Sequence, residues 1–137
     1  MIRKATENDI PHLMEIRFSV RENRLSTPSR VKAEDYHWFL DNPGIFLWED
    51  AGRIVGFSAA DPRNGNIWAL FIDPVFEGRG IGRALLERVC KILAEAGFQK
   101  IWLTTDPGTR AETFYRNAGW QATGFKENEI LFEKSLG

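Results

Sequence analysis

Leu70-Phe71-Ile72-Asp73-Pro74-Val75-Phe76-Glu77-Gly78-Arg79-Gly80-Ile81-Gly82-Arg83-Ala84 is the stretch that decides how this chain of 137 residues is read. The apolar run 67–72 has the make-up of a strand and ends at Asp73-Pro74. Ile81, Ala84, Leu85, Arg88, Val89, Ile92, Leu93 and Ala96 then recur at helical spacing. Between strand and helix, glycine stands at 78, 80 and 82. Glycine reaches positive φ without steric cost and puts no Cβ in the way of a ligand. Successive N–H groups in such a turn point into one concavity, and the helix start adds about half a positive charge. Residues 66–88 therefore read as an anion site for a phosphate or pyrophosphate, with Arg79 and Arg83 as further donors. The alternative is a strand-to-helix turn that holds no ligand.

Other phosphate motifs fit worse. The dinucleotide fingerprint G-x-G-x-x-G puts its third glycine at Arg83 or Leu85, depending on the start. The P-loop pattern G-x-x-x-x-G-K-[ST], started at Gly78, puts its second glycine at Arg83.

Upstream, residues 2–5 read as a short strand. Asn8 or Asp9 offers an N-cap, Pro11 sits in the first turn, and Ile10, Leu13, Met14, Arg17 and Phe18 predict an amphipathic helix over 9–22. A second helix follows over 30–40 and is stopped by Asn42-Pro43-Gly44. Strands over 45–48 and 54–60 flank a hairpin turn at Asp50-Ala51-Gly52. Downstream, Gly97 stops the long helix, 101–105 is a strand, 110–117 a short helix, and 120–125 with 129–136 a closing pair of strands. This order predicts one α/β (α+β) domain over 1–137, with a mixed, mostly antiparallel sheet of six to seven strands and about four helices.

Composition narrows the function classes. Lys and Arg number 18 against 19 Asp and Glu, a formal net charge of -1, so no basic face for nucleic acid is imposed. Cys90 is the one cysteine, which excludes an intrachain disulfide and fits a reducing compartment. The start MIRKATENDI lacks the apolar segment of a signal peptide, and no apolar run approaches the roughly 20 residues that span a bilayer. The expectation is a cytoplasmic protein without a membrane or nucleic-acid partner. His12 and His37 lie far apart without ligand partners, so no metal is expected.

The glycine segment resembles the central motif of the GCN5-related N-acetyltransferase (GNAT) family, [QR]-x-x-G-x-[GA] after a strand ending in apolar-x-Pro. Here Ile72-Asp73-Pro74 precedes Glu77-Gly78-Arg79-Gly80-Ile81-Gly82, with Glu77 in place of Gln or Arg. Ala111-Glu112-Thr113-Phe114-Tyr115-Arg116-Asn117-Ala118-Gly119-Trp120 is similar to the family's A-x-x-[FL]-Y-x-x-x-G-[FW] segment. The resemblance implies an acyl-CoA N-acyltransferase fold and acetyl-CoA as co-substrate. It also implies cofactor contacts from Leu70, Phe71 and Ile72 and from Glu77, Gly78, Arg79, Gly80, Ile81, Gly82 and Arg83. Tyr115 would lie near the cofactor sulfur. Two departures stand out: Gly108 replaces a frequent asparagine, and the strand Trp102-Leu103-Thr104-Thr105 lacks a glutamate base, so that Asp106 is the first carboxylate after it.

The implied reaction is direct attack of a primary amine on a thioester through a tetrahedral intermediate. An amine with a pKa near ~10.4 must first lose its proton, and the departing thiolate, near ~8.5, must gain one. Tyr115 suits the general acid, while Asp61, Asp106, Glu49 and Glu22 are base candidates that also suit turn caps or solvated surface. In this fold the acceptor lies between the first two helices and the sheet. Arg17 and Arg21, four apart on one helix face, would hold a substrate carboxylate, with Trp38 as an apolar wall. The acceptor would be a small molecule or a peptide or protein amine, and a homodimer is left open. A CoA-binding domain without turnover and a generic nucleotide-binding module are the other readings.

Overall fold

The computed structural model describes residues 1–19 and 32–136. Among these residues, seven strands and four helices follow in the order β1 (Ile2–Lys4), α1 (Ile10–Ser19), α2 (Ala33–Leu40), β2 (Ile45–Asp50), β3 (Arg53–Asp61), β4 (Asn66–Ile72), α3 (Ile81–Glu95), β5 (Lys100–Thr105), α4 (Arg110–Asn117), β6 (Gln121–Lys126) and β7 (Glu129–Ser135). The strands form one sheet in the order β1-β2-β3-β4-β5-β7-β6. Every pairing is antiparallel except that of β4 with β5. The mixed, mostly antiparallel sheet expected from the sequence is the one observed.

Local chemistry explains the boundaries. The turn of the β2–β3 hairpin puts Ala51 at φ 51° and Gly52 at φ 81°, and that of the β6–β7 hairpin puts Glu127 at 51° and Asn128 at 72°. Two left-handed residues give a turn whose twist matches that of the strands. The start of α1 differs from the expectation. Thr6, not Asn8 or Asp9, is the N-cap, and it opens a 3₁₀ turn over Glu7–Asp9 that runs into the helix. The Asp9 carboxylate reaches back to accept from the Thr6 N–H at 2.8 Å and takes the two terminal Arg3 guanidinium nitrogens at 2.9 and 3.1 Å. Arg3 thereby holds the Asp9 carboxyl at about 2, below the ordinary carboxylate range. The expected end of the first helix at 22 and start of the second at 30 lie outside the described residues.

The sheet is covered on both faces. Leu13, Tyr36 and Phe39 of α1 and α2 pack on Ile45, Leu47 and Phe57. On the other face α3 presents Leu85, Val89 and Leu93, spaced four apart and fully buried. Each such side chain stabilises the fold by about 1.5–3 kcal/mol relative to exposure. Tyr115 of α4 joins the same layer with Ile101 and Leu103 of β5 and Phe132 of β7. The Ser58 hydroxyl of β3, buried, donates to the Leu85 carbonyl at 3.0 Å and ties α3 to the middle of the sheet. Among the described residues, no helix is long and apolar enough to cross a membrane.

Gly56 marks where this packing is tightest. A Cβ there would stand 2.6 Å from Ile72 Cδ1, 3.0 Å from the Phe71 carbonyl oxygen and 3.3 Å from Leu85 Cδ1. The Ile72 tip can turn away, but the carbonyl is fixed by the sheet. Gly56→Ala is therefore expected to cost about 1–3 kcal/mol, as overpacking does. Denaturant unfolding checks it, and an unchanged midpoint would contradict the packing described.

Candidate functional site

The parallel pair carries the site. β4 and β5 are in register at one position, Asn66↔Trp102. That vertex is fastened three times: the Trp102 N–H donates to the Gly65 carbonyl at 3.1 Å, the Trp102 indole N–H to the Asn64 carbonyl at 3.1 Å, and the Asn66 side-chain amide to the Trp102 carbonyl at 3.3 Å. Beyond it, β4 continues to pair with β3 on one side only, while β5 pairs with β7. Ala59 faces Ala69 and Ala60 faces Ile67, so Trp68 is an extra residue in β4, a bulge two residues past the vertex. Bulges bend a strand and interrupt its ladder. The two strands thus part like a V, and the β5-facing edge of residues 67–72 has no partner strand among the described residues.

The glycine loop stands at the open end of the V. The Asp73 carboxylate accepts from the Val75 N–H at 3.0 Å and from Arg53 at 2.9 Å, and Pro74–Phe76 forms a 3₁₀ turn. Gly78 and Gly80 lie at φ 78° and 81°, and Gly80 is the N-cap of α3. With no side chain to cap it, Gly80 leaves the first-turn amides to an external acceptor. A Cβ at Gly78 or Gly80 would meet nothing within 4 Å, so the space beside these two glycines is open. Gly82 differs: a Cβ there would make ordinary contacts with Ile72 Cγ1 at 3.5 Å and Phe114 at 3.6 Å. Loop, β4 and α4 converge at this point. Arg79 lies over the Phe76 ring at 5.0 Å, and both Arg79 and Arg83 are exposed. Leu70 and Ile72 pack with Ile81 and Leu85 of α3, while Phe71 faces the α1 and α2 side. Glu77, the departure from the family pattern, pairs with Arg110 in the first turn of α4 at 2.6 Å.

Tyr115 lies on the α3 side, packed against Phe114, Trp120 and Phe132 at ring distances of 5.3, 5.8 and 5.9 Å. Burial, with a smaller contribution from Cys90, pushes its hydroxyl above the ordinary tyrosine value, so it stays protonated at neutral pH. The carboxylates proposed as bases are separated. Asp61 pairs with Asn66 at the vertex, whereas Asp106 directly follows β5 at the open end, about 13 Å further along the strand. Asp61 is buried and takes both Arg63 guanidinium nitrogens at 2.9 and 2.8 Å, and this holds its carboxyl below the usual range. Glu49 is paired with Arg3; Glu22 and Arg21 lie outside the described residues.

On the α1 and α2 face the Arg17 guanidinium sits 5.0 Å from the Trp68 ring and 4.8 Å from that of Phe71. Trp68 stacks on Phe39 at 4.2 Å, Phe39 meets Trp38 edge-on at 4.9 Å, and Arg63 lies over Trp38 at 3.9 Å. Two of the acceptor-site expectations, Arg17 and Trp38, thus belong to one aromatic layer that reaches the bulge. The bulge at Trp68 and the Glu77–Arg110 pair carry no local sequence signal, because the first depends on strand register and the second joins residues distant in sequence.

A model described as the acetyltransferase (GNAT) family matches residues 10–120. Over 73 residues the chain is 33% identical to the histone acetyltransferase TAP1 of Glycine max, covering 51% of this chain and 31% of that protein. Over 146 residues it is 27% identical to the uncharacterized N-acetyltransferase MJ1207 of Methanocaldococcus jannaschii, covering 95% and 62%. This chain therefore spans less than two thirds of the length of those curated relatives. Its fold is similar to that of the PaiA N-acetyltransferase from Thermoplasma acidophilum in complex with coenzyme A, at a TM-score of 0.81, 16% identity and 98% coverage of each chain.

The loop geometry predicts the behaviour of its glycines. Gly80→Val is expected to abolish binding of a pyrophosphate ligand such as CoA, because it strains a backbone at φ 81° and fills the open space beside it. Gly82→Ala, whose Cβ meets only ordinary contacts, is expected to leave the fold intact. Calorimetric titration with CoA reads both, and retained binding by Gly80→Val would sink the anion-site assignment.

Proposed function

The chain belongs to the acetyltransferase (GNAT) family, and from that premise we propose that it moves an acetyl group from acetyl-CoA to a primary amine of a small molecule, peptide or protein. The observation that carries this reading is the V between β4 and β5 with the glycine loop at its mouth. An extended pantetheine arm can take the place of the missing rungs along residues 67–72, while the pyrophosphate meets the amides at the start of α3. Acetyl-CoA supplies the thioester. Every other part of the reaction falls to this chain.

The bulge at Trp68 turns backbone groups of β4 out of the ladder, where an N–H can bind the thioester oxygen as it becomes an oxyanion. The amine nitrogen forms a bond to the acetyl carbon, and the carbon–sulfur bond breaks after a tetrahedral intermediate. Tyr115, kept protonated by burial, gives its proton or a hydrogen bond to the leaving thiolate. The amine proton leaves through water to a carboxylate. Asp106 is the candidate by its place, directly after β5 at the open end of the V. Arg17, in its aromatic setting beside the bulge, supports an acceptor that carries a carboxylate. A reducing cytoplasm suits the free thiol Cys90. The commitment of Asp61 to Arg63 also favours a second reading, a CoA-binding domain without turnover.

Release of CoA thiol from acetyl-CoA with a panel of amines separates the two readings. Tyr115→Phe is expected to lower kcat roughly 100-fold, within the range for loss of a general acid, with little change in the KM for acetyl-CoA. Because its folded value is raised, Tyr115 should impose no falling limb on the rate below about pH 10, and the rate should climb with pH as the amine loses its proton. An unchanged kcat in Tyr115→Phe would remove this residue from the chemistry.

A further inference from the structure

Glu77 is the one motif position where this chain reverses the expected charge, and Arg110 is the residue that meets it. Their ion pair, 2.6 Å from Arg110 Nε to Glu77 Oε2, joins the glycine loop to the first turn of α4 across the mouth of the V. The neighbouring carboxylates are engaged elsewhere. The loop's other carboxylate, Asp73, is engaged by Arg53 and the Val75 N–H. Glu112, which shares the first turn of α4 with Arg110, accepts from the Gly108 N–H at 2.8 Å and from Arg116 at 2.9 Å. The Glu77 side chain is half-buried, 27% exposed, while that of Arg110 is 66% exposed. A bare carboxylate at position 77 would stand next to the amides of Gly78 and Gly80 that an anion must reach. It would repel each phosphate by Coulomb interaction in a partly screened setting.

We infer that Arg110 is a positioning residue that sets cofactor affinity through Glu77: the ion pair cancels the loop's uncompensated carboxylate and fastens α4 to it, so that a pyrophosphate meets a net positive mouth. The inference rests on the acyl-CoA reading of the loop. The charge that the family pattern places on the loop itself is delivered here from α4, thirty-three positions later in the chain. Arg79 and Arg83 remain on the loop and the start of α3 as direct donors to the anion.

The test is calorimetric titration of CoA into the wild-type chain and into Arg110→Gln, Glu77→Gln, the double variant and Arg110→Lys. Arg110→Gln should bind CoA roughly 5- to 10-fold more weakly at low salt, the size expected for one exposed charge facing two phosphates. Glu77→Gln should bind no more weakly than wild type, and the double variant should return to within about 2-fold of it, since both charges are then absent. Arg110→Lys, which keeps the charge, should retain most of the affinity. The Arg110→Gln deficit should shrink as salt is raised from about 0.05 M to 0.5 M, because screening acts on charge and not on packing. A deficit of equal size in the Glu77→Gln background, or one indifferent to salt, would overturn the inference. Failure of the wild-type chain to bind CoA would overturn the acyltransferase reading, and this inference with it; binding without coupling overturns the inference alone.

Discussion

One short contact governs the arrangement: the single register point between β4 and β5, Asn66↔Trp102. A parallel pair normally continues along its length, and each further rung would close the sheet. Here the three hydrogen bonds at Asn64, Gly65 and Asn66 hold the vertex, the extra residue at Trp68 bends β4 away, and β5 commits its other edge to β7. The opening costs backbone hydrogen bonds in the middle of a sheet. Packing on both faces offsets that cost: α3 is buried against β3 and β4 through Leu85, and the aromatic layer of Tyr36, Phe39 and Trp68 supports β4 from below. The cleft is therefore a feature of the whole sheet, although its walls are only a few residues long.

Much of this was legible in the sequence, for identifiable reasons. The stripe of Leu85, Val89 and Leu93 and the turn residues at 50–52 report local periodicity and φ preference, and both translate directly into elements. Gly78 and Gly80 were readable because positive φ is a property of one residue at a time. What could not be read is which partner a polar side chain takes and how neighbouring strands align. The start of α1 illustrates this. Asn8 and Asp9 look like caps, yet the Asp9 carboxylate is drawn back by Arg3 and the Thr6 N–H, and the cap moves to Thr6. The bulge depends on how β3 and β4 align. The binding of Asp61 by Arg63 depends on a turn two residues long bringing a guanidinium onto its own neighbour.

The electrostatics follow the same division. Among the described residues, each buried carboxylate is matched by an arginine, Asp9 by Arg3 and Asp61 by Arg63, as desolvated charge requires. Arginine is also laid on aromatic rings on both sides of the cleft, Arg17 and Arg63 on one and Arg79 on the other. A guanidinium stacked on a ring keeps its edge donors available while its face is covered. A chain of net charge -1 can in this way hold positive charge on both sides of the cleft without a basic surface overall.

The unpaired stretch of β4 has a consequence for the protein when it stands empty. A free strand edge in the interior of a sheet is a template for other strands, including those of neighbouring molecules. A ligand lying in the V would act as the missing rung and cover it. Occupancy and folding are then linked: ligand at about a hundred times its dissociation constant raises stability by about 2.7 kcal/mol. The concentration of a ligand that fills the V would then bear on how much of this chain stays folded.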